Sequence, residues 1–504
     1  MKFKFRNTTP KHRFTLEGLK KPFLLIALFF KNVKKSYFLM PKFERVIAMI
    51  LTIAAFLLLG FKFYQTYIAE TKVVPADNGV YIEDVVGEVK YLSPVFAQSD
   101  AEKSTSKLIF TGLVKIVDKS TVTPDLAESW AVSEDGKKYT FKLKPGVVFS
   151  DGSPLTADDV AYTVSLIKAP ESKSPLFTSW SNVGVTVLDE QTVELDLPNA
   201  YGPFIYNCNF GIVPAHLSAD EFSKKLIGTG PFQFTKSTHT DGKIKEIELA
   251  PNANYYGEKS HFSVVRIKLF LQKDDAIKDY ETDNDVKALT GTDSSVGQSY
   301  GYESSKKLGL VFNLRNDKLK DKDVRTKMLL GTSFEAPLTL TLTTLDSAIQ
   351  KQKAEELKTR FLAQNIQISI SYLNASKLQD ALVARSYELL LYGFDFGLDR
   401  DPYTFWHSSQ IDALNFAGWS DKASDILLED ARMITDEAKR SEKYDQFYQT
   451  ISTQGLAQFF EPIQFNFFVK DSVKNVATIL GTQVYSRYQN IAGWYTKEKR
   501  VRGE

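Results

Sequence analysis

A chain of 504 residues exceeds the usual domain of ~100–200 residues and can bury more than one core. Its composition of 43% hydrophobic, 25% charged and 13% aromatic residues excludes disorder, and the single cysteine, Cys208, excludes an internal disulfide or a thiolate metal cluster. The formal charge of +2 hides an asymmetry. Residues 1–45 hold twelve Lys or Arg against Glu17 and Glu44, whereas residues beyond 71 hold 50 basic and 58 acidic side chains, a net of −8 that suits nucleic acid poorly.

The basic stretch 1–45 is followed by "VIAMILTIAAFLLLGF", Val46 to Phe61, which carries no charge; past Lys62 the apolar run continues to Ala69. That is enough for one membrane-crossing helix at ~20 residues per bilayer. The positive flank precedes it, so residues 1–45 are expected in the cytoplasm, 46–69 in the membrane, and the rest outside the cell membrane after a linker at 70–79. A cleaved signal peptide is the competing reading. It needs a small-x-small site, and "YQTYIAETKVV" offers Tyr67 and Ala69, so a single-pass uncleaved anchor is favoured. The earlier "PFLLIALFF", Pro22 to Phe30, is too short to span and reads as an interfacial helix.

From Val80 onward strand-like and helical patterns mix without internal repeats, which predicts an α/β or α+β module with several lobes. "YTFKLKPGVVF" (139–149) alternates around a Pro-Gly turn and reads as a hairpin; Thr192–Pro198 and Ser263–Leu271 read as strands. Helices are predicted at 354–363, 376–384 and 421–435. The polar cluster "VFSDGSPLTADDV" (148–160) is explained by local chemistry: Asp151-Gly152 turns the chain, Thr156 caps a helix, and Asp159 answers as its capping-box partner. His239-Thr-Asp-Gly242 reads as a hairpin tip, and the scattered histidines His216, His239, His261 and His407 offer no metal spacing, so neither metal nor cofactor is expected.

The segment "TPDLAESWAVSEDGKKYTFKLKPGVVFSDGSPLTADDVAYTV", Thr123 to Val164, resembles the signature region of extracytoplasmic solute-binding protein family 5, the oligopeptide-, dipeptide- and nickel-binding proteins of ATP-binding-cassette (ABC) importers. "IVPAHL" (212–217), "GTGPFQF" (228–234), "LVFNLRNDKLKDKDVRTKML" (310–329), "LLLYGFDFGLDRDPYTFW" (389–406) and "NFAGWSDKASDILLEDA" (415–431) extend it in the same order to about Lys474. The resemblance implies an α/β, periplasmic-binding-protein-like two-lobed clamp with an extra domain, here behind one N-terminal transmembrane helix. It implies a first lobe over 80–271 with the extra domain at about 98–178, a second lobe over 272–465, and a return to the first lobe with a tail over 466–504. The implied function is capture of a peptide or other small solute by hinge closure without catalysis, with importer permease and ATPase subunits as partners.

In peptide-binding members a Trp-x-x-Asp-Tyr-x-x-Pro stretch supplies an Asp for the ligand α-ammonium. This chain has "GFDFGLDRDP", Gly393 to Pro402, so Phe394 stands in the Trp place and Asp395 and Asp399 are rival ammonium partners. Arg400 is close enough in sequence to neutralise either acid, and Asp401-Pro402 reads as a turn. Asn415, Trp419 and Trp406 match positions near the cleft, and each Trp is as readily core as ligand platform. After "DVRTKMLLGTSFEAP" the family's usual helical section of several dozen residues is missing, which predicts a shallower or more open pocket. Two rival functions remain: a cell-surface sensing, scaffold or chaperone protein that retains the binding fold, and, more distantly, a serine hydrolase using Ser299 of the Gly-x-Ser-x-Gly match at 297–301 with His407 as base.

Overall fold

A computed structural model describes residues 38–218 and 225–502. The proposed interfacial helix at 22–30 and most of the basic segment lie outside the described residues. The chain divides into two units, residues up to 74 with those from 498 onward, and Pro75–Lys497.

In the first unit, 29 residues from Lys42 to Glu70 form one helix with no buried residue, long and apolar enough to cross a membrane. No Gly or Pro interrupts it after Pro41 except Gly60, and the apolar side chains cover its whole circumference. The next strand, β1 (Thr71–Pro75), pairs with β20 (Glu498–Arg502), so the end of the chain returns to the foot of the helix.

The second unit holds a seven-stranded sheet built from β2 (Gly79–Val86), β9 (Phe232–Thr240), β10 (Lys243–Pro251), β11 (Phe262–Phe270), β12 (Ala288–Thr290), β13 (Gln298–Ser299) and β19 (Phe467–Val469), in the order β13-β19-β12-β2-β11-β10-β9. The β9–β10 turn is the tip expected at His239–Gly242: Asp241 and Gly242 both have positive φ, 51° and 74°, as a tight two-residue hairpin requires. A small ladder of β3 (Val114–Ile116) and β4 (Val122–Pro124) leads into a four-stranded sheet, β5 (Ala127–Val132), β6 (Lys138–Leu143), β7 (Gly184–Asp189) and β8 (Thr192–Asp196), ordered β5-β6-β8-β7. That sheet runs past the expected end of the extra domain at about 178.

The hairpin expected across Pro145-Gly146 does not form. β6 pairs with β5 and β8, while Val148 bridges only to Pro154 across the Asp151-Gly152 turn. Alternation marked β6 as half-buried, but its partners come from elsewhere in the chain. The capping box is present: the Thr156 N–H donates to Asp159 Oδ2 at 2.7 Å, and Asp159 Oδ1 also accepts from Ala215 N–H.

A second, five-stranded sheet, β16-β15-β17-β14-β18, consists of β14 (Tyr302–Phe312), β15 (Leu338–Leu345), β16 (Ile366–Leu373), β17 (Leu389–Asp395) and β18 (Ala457–Phe465). Two apolar cores cover its faces, one around Leu310, Leu342 and Phe361 and one around Leu390, Trp406 and Phe447. The predicted helices appear as Ala348–Leu362, Ala375–Ala384 and Lys422–Met433.

The chain leaves the first sheet after β13 and returns to it at β19. The two crossings lie side by side, with Tyr302 opposite Phe465. These pairings put residues 288–299 with the first sheet, beyond the expected lobe boundary at 271/272. Behind the crossings, the C-terminal segment is tied to β2 by a buried pair, Arg487 Nε to Glu83 Oε1 at 3.0 Å, with Tyr81, Tyr488 and Thr290 hydroxyls donating to the same carboxylate. A buried ion pair survives only when its remaining lone pairs are satisfied, and here they are.

Candidate functional site between the two sheets

Where the crossings meet the second sheet, a cleft of about 620 Å³ opens between the two bodies. Lys119, Ser120 and Thr482 line it from the first side; the start of β14, the loop after β17, the Glu437–Thr453 helix and β18 line it from the second. Its apolar wall is an aromatic cluster of Phe396, Tyr448 and Phe459, with centroids 5.3–6.1 Å apart and near-perpendicular rings. Edge-to-face packing holds such rings rigidly, presenting large faces at little entropic cost to a ligand.

The loop Phe396–Arg400 decides which of its acids reach the cleft. Gly397 and Arg400 both have positive φ, 66° and 60°, so the chain coils tightly and successive side chains diverge. Asp399 turns inward to Arg440, 2.5 Å away, and accepts a further bond from the Tyr444 hydroxyl at 3.0 Å. Burial pushes the Asp399 carboxyl up from its ordinary value, against the lowering pull of Arg440. Asp401 likewise faces Arg432 at 2.9 Å. Arg400 pairs with Asp445 at 3.0 Å, both residues lining the cleft, and neutralises neither Asp395 nor Asp399.

The other expected site residues divide as follows. Phe394 is 1% exposed and packs among Tyr392, Phe396, Phe405, Phe416 and Phe459, so it is core beneath the cleft. Asn415 is fully buried, with its amide donating to the carbonyls of Trp406, His407 and Trp419 and accepting from Gly418 N–H: a bracket for the loop. Trp406 is buried against Phe447 and Phe459, and Trp419 packs on Phe447. Asp395 is exposed at the end of β17, opposite Lys306, accepting from the Ser305 hydroxyl at 2.8 Å and from Gly397 N–H. Of the two rival acids, Asp399 lines the cleft but is held by Arg440, whereas Asp395 has no cation partner and lies next to the cleft, bonded to the lining residues Ser305 and Gly397 without lining it itself.

Three cleft features escaped sequence reasoning. Lys307 and Glu437 line the cleft with no salt-bridge partner among the described residues, and Glu437 lies beside the Tyr206 hydroxyl. Phe396, inside the quoted "GFDFGLDRDP", is the aromatic that reaches the cleft, two residues on from the buried Phe394. The i, i+2 spacing of the two rings was the available signal.

The expected Ser299–His407 pair does not form. Ser299 is exposed on the two-residue strand β13, while the buried His407 ring contacts Ser409 and Glu429 behind the second sheet. Among the described residues no cluster of three metal-ligating side chains occurs.

Residues 121–336 match the model of bacterial extracellular solute-binding proteins, family 5 Middle. The chain is 23% identical over 476 residues to the oligopeptide-binding protein AppA of Bacillus subtilis, covering 75% of this chain and 85% of that protein. Residues 121–336 thus carry the middle segment of the family 5 solute-binding proteins. It is also 24% identical over 456 residues to di/tripeptide-binding protein 1 of Pseudomonas aeruginosa, covering 70% of this chain and 82% of that one. The fold superposes on the ABC transporter substrate binding protein CtaP of Listeria monocytogenes with a TM-score of 0.71 at 20% identity, over 84% of this chain and 100% of that one. It superposes on Bacillus subtilis AppA in complex with a nonapeptide with a TM-score of 0.62 at 20% identity, over 84% and 99%. The two sheets joined by paired crossings are therefore the two lobes of the fold these structures share, and the cleft lies between them.

Proposed function

We propose that this chain is a membrane-anchored extracytoplasmic receptor that captures peptides in the interlobe cleft, without chemical change, and delivers them to an ABC importer. The observation that carries the reading is the pairing of an aromatic wall with uncommitted charges of both signs. Glu437 suits a ligand ammonium, with Asp395 beside the lining Ser305 as a second acid nearby, Lys307 suits a carboxylate, and Ser304, Ser305 and Ser441 add hydroxyls between them. A zwitterionic chain with varied side chains matches that distribution, because charges fix its ends while aromatic faces accept different residues. Asp399 is not the anchor: its charge is already spent on Arg440.

The Lys42–Glu70 helix serves as the anchor, with the preceding basic residues in the cytoplasm and the binding unit outside. Paired crossings at 299–302 and 465–467 act as the hinge, since two short adjacent connections let the lobes rotate with few contacts broken.

The test is thermal stabilisation of the full chain against a peptide library. A ligand at 100 times its dissociation constant adds ~2.7 kcal/mol to stability. If no peptide stabilises a normally folded chain, the receptor reading fails and a cell-surface scaffold that keeps the fold replaces it. Membrane fractions resisting carbonate extraction, and released by cleavage after Glu70, would bear out the anchor.

A further inference from the structure

The cleft does not end at its aromatic wall. Tyr448 and Phe459 also line a second hollow of about 550 Å³, which runs beside β18 between the helix Lys322–Leu330 and the end of the helix Glu437–Thr453. The two spaces thus share a wall and lie next to each other along one strand.

β18 is the outermost strand of its sheet, and its free edge faces this hollow. Phe312 N–H donates to the Leu456 carbonyl at 3.2 Å. In the alternation of an antiparallel ladder, Gln458 opposite Leu310 then also points its main chain inward, and Ala457 and Phe459 point theirs to the free edge. An uncovered edge strand is a template for another extended chain. Among the described residues no further strand pairs with it, and Phe459 there is part-exposed while Ala457 is 5% exposed at the floor of the hollow. The flanking helix stops at Gly331, which has a φ of +81° as a left-handed helix terminus requires, and leaves Leu330 81% exposed at the mouth of the hollow. None of the hollow's lining residues carries a charge.

We propose that this groove is an extension of the ligand site: it receives the overhanging part of a peptide too long for the cleft, paired as an added strand on the free edge of β18. The inference rests on the peptide-receptor reading. It specifies the substrate class as linear peptides whose overhanging residues are uncharged, with the far end emerging past Leu330. Main-chain pairing to Ala457 and Phe459 supplies affinity with little demand on sequence, and the absence of charge in the groove penalises Lys, Arg, Asp or Glu there, which would lose water without gaining a partner.

The test is titration calorimetry on the full chain with a nested series of peptides, from about two to about ten residues, the extra residues being Ala, Thr and Gln at ~3.3 Å of strand per residue. Affinity is expected to rise by about tenfold once the peptide outgrows the cleft. The rise should vanish when amides of the overhang are N-methylated, or when an overhang residue is Glu or Lys. Ser452→Trp, on the exposed wall of the groove, should bring long peptides down to the affinity of short ones. Equal affinity at all lengths, or an N-methylated overhang that binds as well as the parent, overturns the inference while short-peptide binding leaves the receptor reading standing. If no peptide of any length binds, the receptor reading itself has failed. Concentration-dependent dimerisation abolished by Ser452→Trp would show instead that a second copy occupies the edge, and would likewise overturn it.

Discussion

Gly202 packs closely against the second lobe, and replacing it by Ala should loosen the contact between the lobes. It follows β8 on the first lobe, in a loop steadied by the Tyr139 hydroxyl donating to Tyr201 O at 3.0 Å. Its N–H donates to the Arg432 carbonyl of the second lobe at 2.7 Å, and a β-carbon there would lie 1.9 Å from the Ile434 carbonyl oxygen. Carbon and oxygen approach comfortably only at ~3.3 Å, so the lobes would part by roughly 1.4 Å. At that separation the 2.7 Å hydrogen bond is broken, at a net ~1 kcal/mol. The Arg432 guanidinium, 4.9 Å from the Tyr201 ring, would lose a cation–π contact of ~0.5–1 kcal/mol. Together they amount to about 1.5–2 kcal/mol, or about a 10- to 30-fold shift away from the joined form. Because the glycine's φ is ordinary, the effect is steric and not conformational. Distances between fluorophores on the two lobes should lengthen and peptide affinity fall by about that factor, with the stability of each lobe unchanged. If Gly202→Ala leaves both the interlobe distance and the affinity as they were, the contact does not govern closure.

Other outcomes follow from the same geometry. Asp399→Asn strands Arg440 in a buried setting and should cost about 3–5 kcal/mol in urea unfolding; a loss below ~1 kcal/mol would mean the pair is solvated. Lys307→Met and Glu437→Gln should each weaken binding of a free zwitterionic peptide by about tenfold, with blocked-terminus peptides insensitive to one or the other; a uniform loss would contradict separate anchoring of the two ends. Asp84 is fully buried on β2 with neither carboxylate oxygen hydrogen-bonded, and burial, then the charge of Asp279, raise its pKa to about 8. The folded state thus keeps a proton that the unfolded chain loses near its ordinary ~3.9, so stability should fall as pH rises from about 4 to about 8. Asp84→Asn should remove that component and stabilise the protein by a few kcal/mol at pH ~8 relative to pH ~5, as read from urea melts at both; an unchanged pH slope would place the titration elsewhere.

How far the sequence could be read depended on the range of the interactions. Thr156 and Asp159, three residues apart, satisfy each other's backbone groups, and the turn at Asp241-Gly242 needs only its own positive φ; both were visible as letters. The hairpin expected at 139–149 failed because alternation reports a half-buried strand without naming its neighbour, and β6 found β5 and β8. The resemblance pointed to the segment "GFDFGLDRDP" but could not rank its acids. Asp399 is withdrawn by Arg440, forty-one positions later, and Asp401 by Arg432, whereas Asp395 remains without a cation beside the cleft because its partner across the sheet, Lys306, lies beside it in register without pairing to it.

The same division holds for the whole protein. By itself the sequence determined the apolar helix after a basic stretch, the three helices at 354–363, 376–384 and 421–435, and the cap and turn chemistry at Thr156 and Asp241-Gly242, since each rests on periodicity, composition or local caps that neighbouring residues settle among themselves. Only the tertiary structure decided which charges stay free in the cleft, that Phe396 and not Phe394 faces it, and that the edge of β18 is left unpaired. Those outcomes depend on burial and on partners distant in the chain, and the free energy of a charge or a strand edge is set by what surrounds it in space, which no short window of sequence contains.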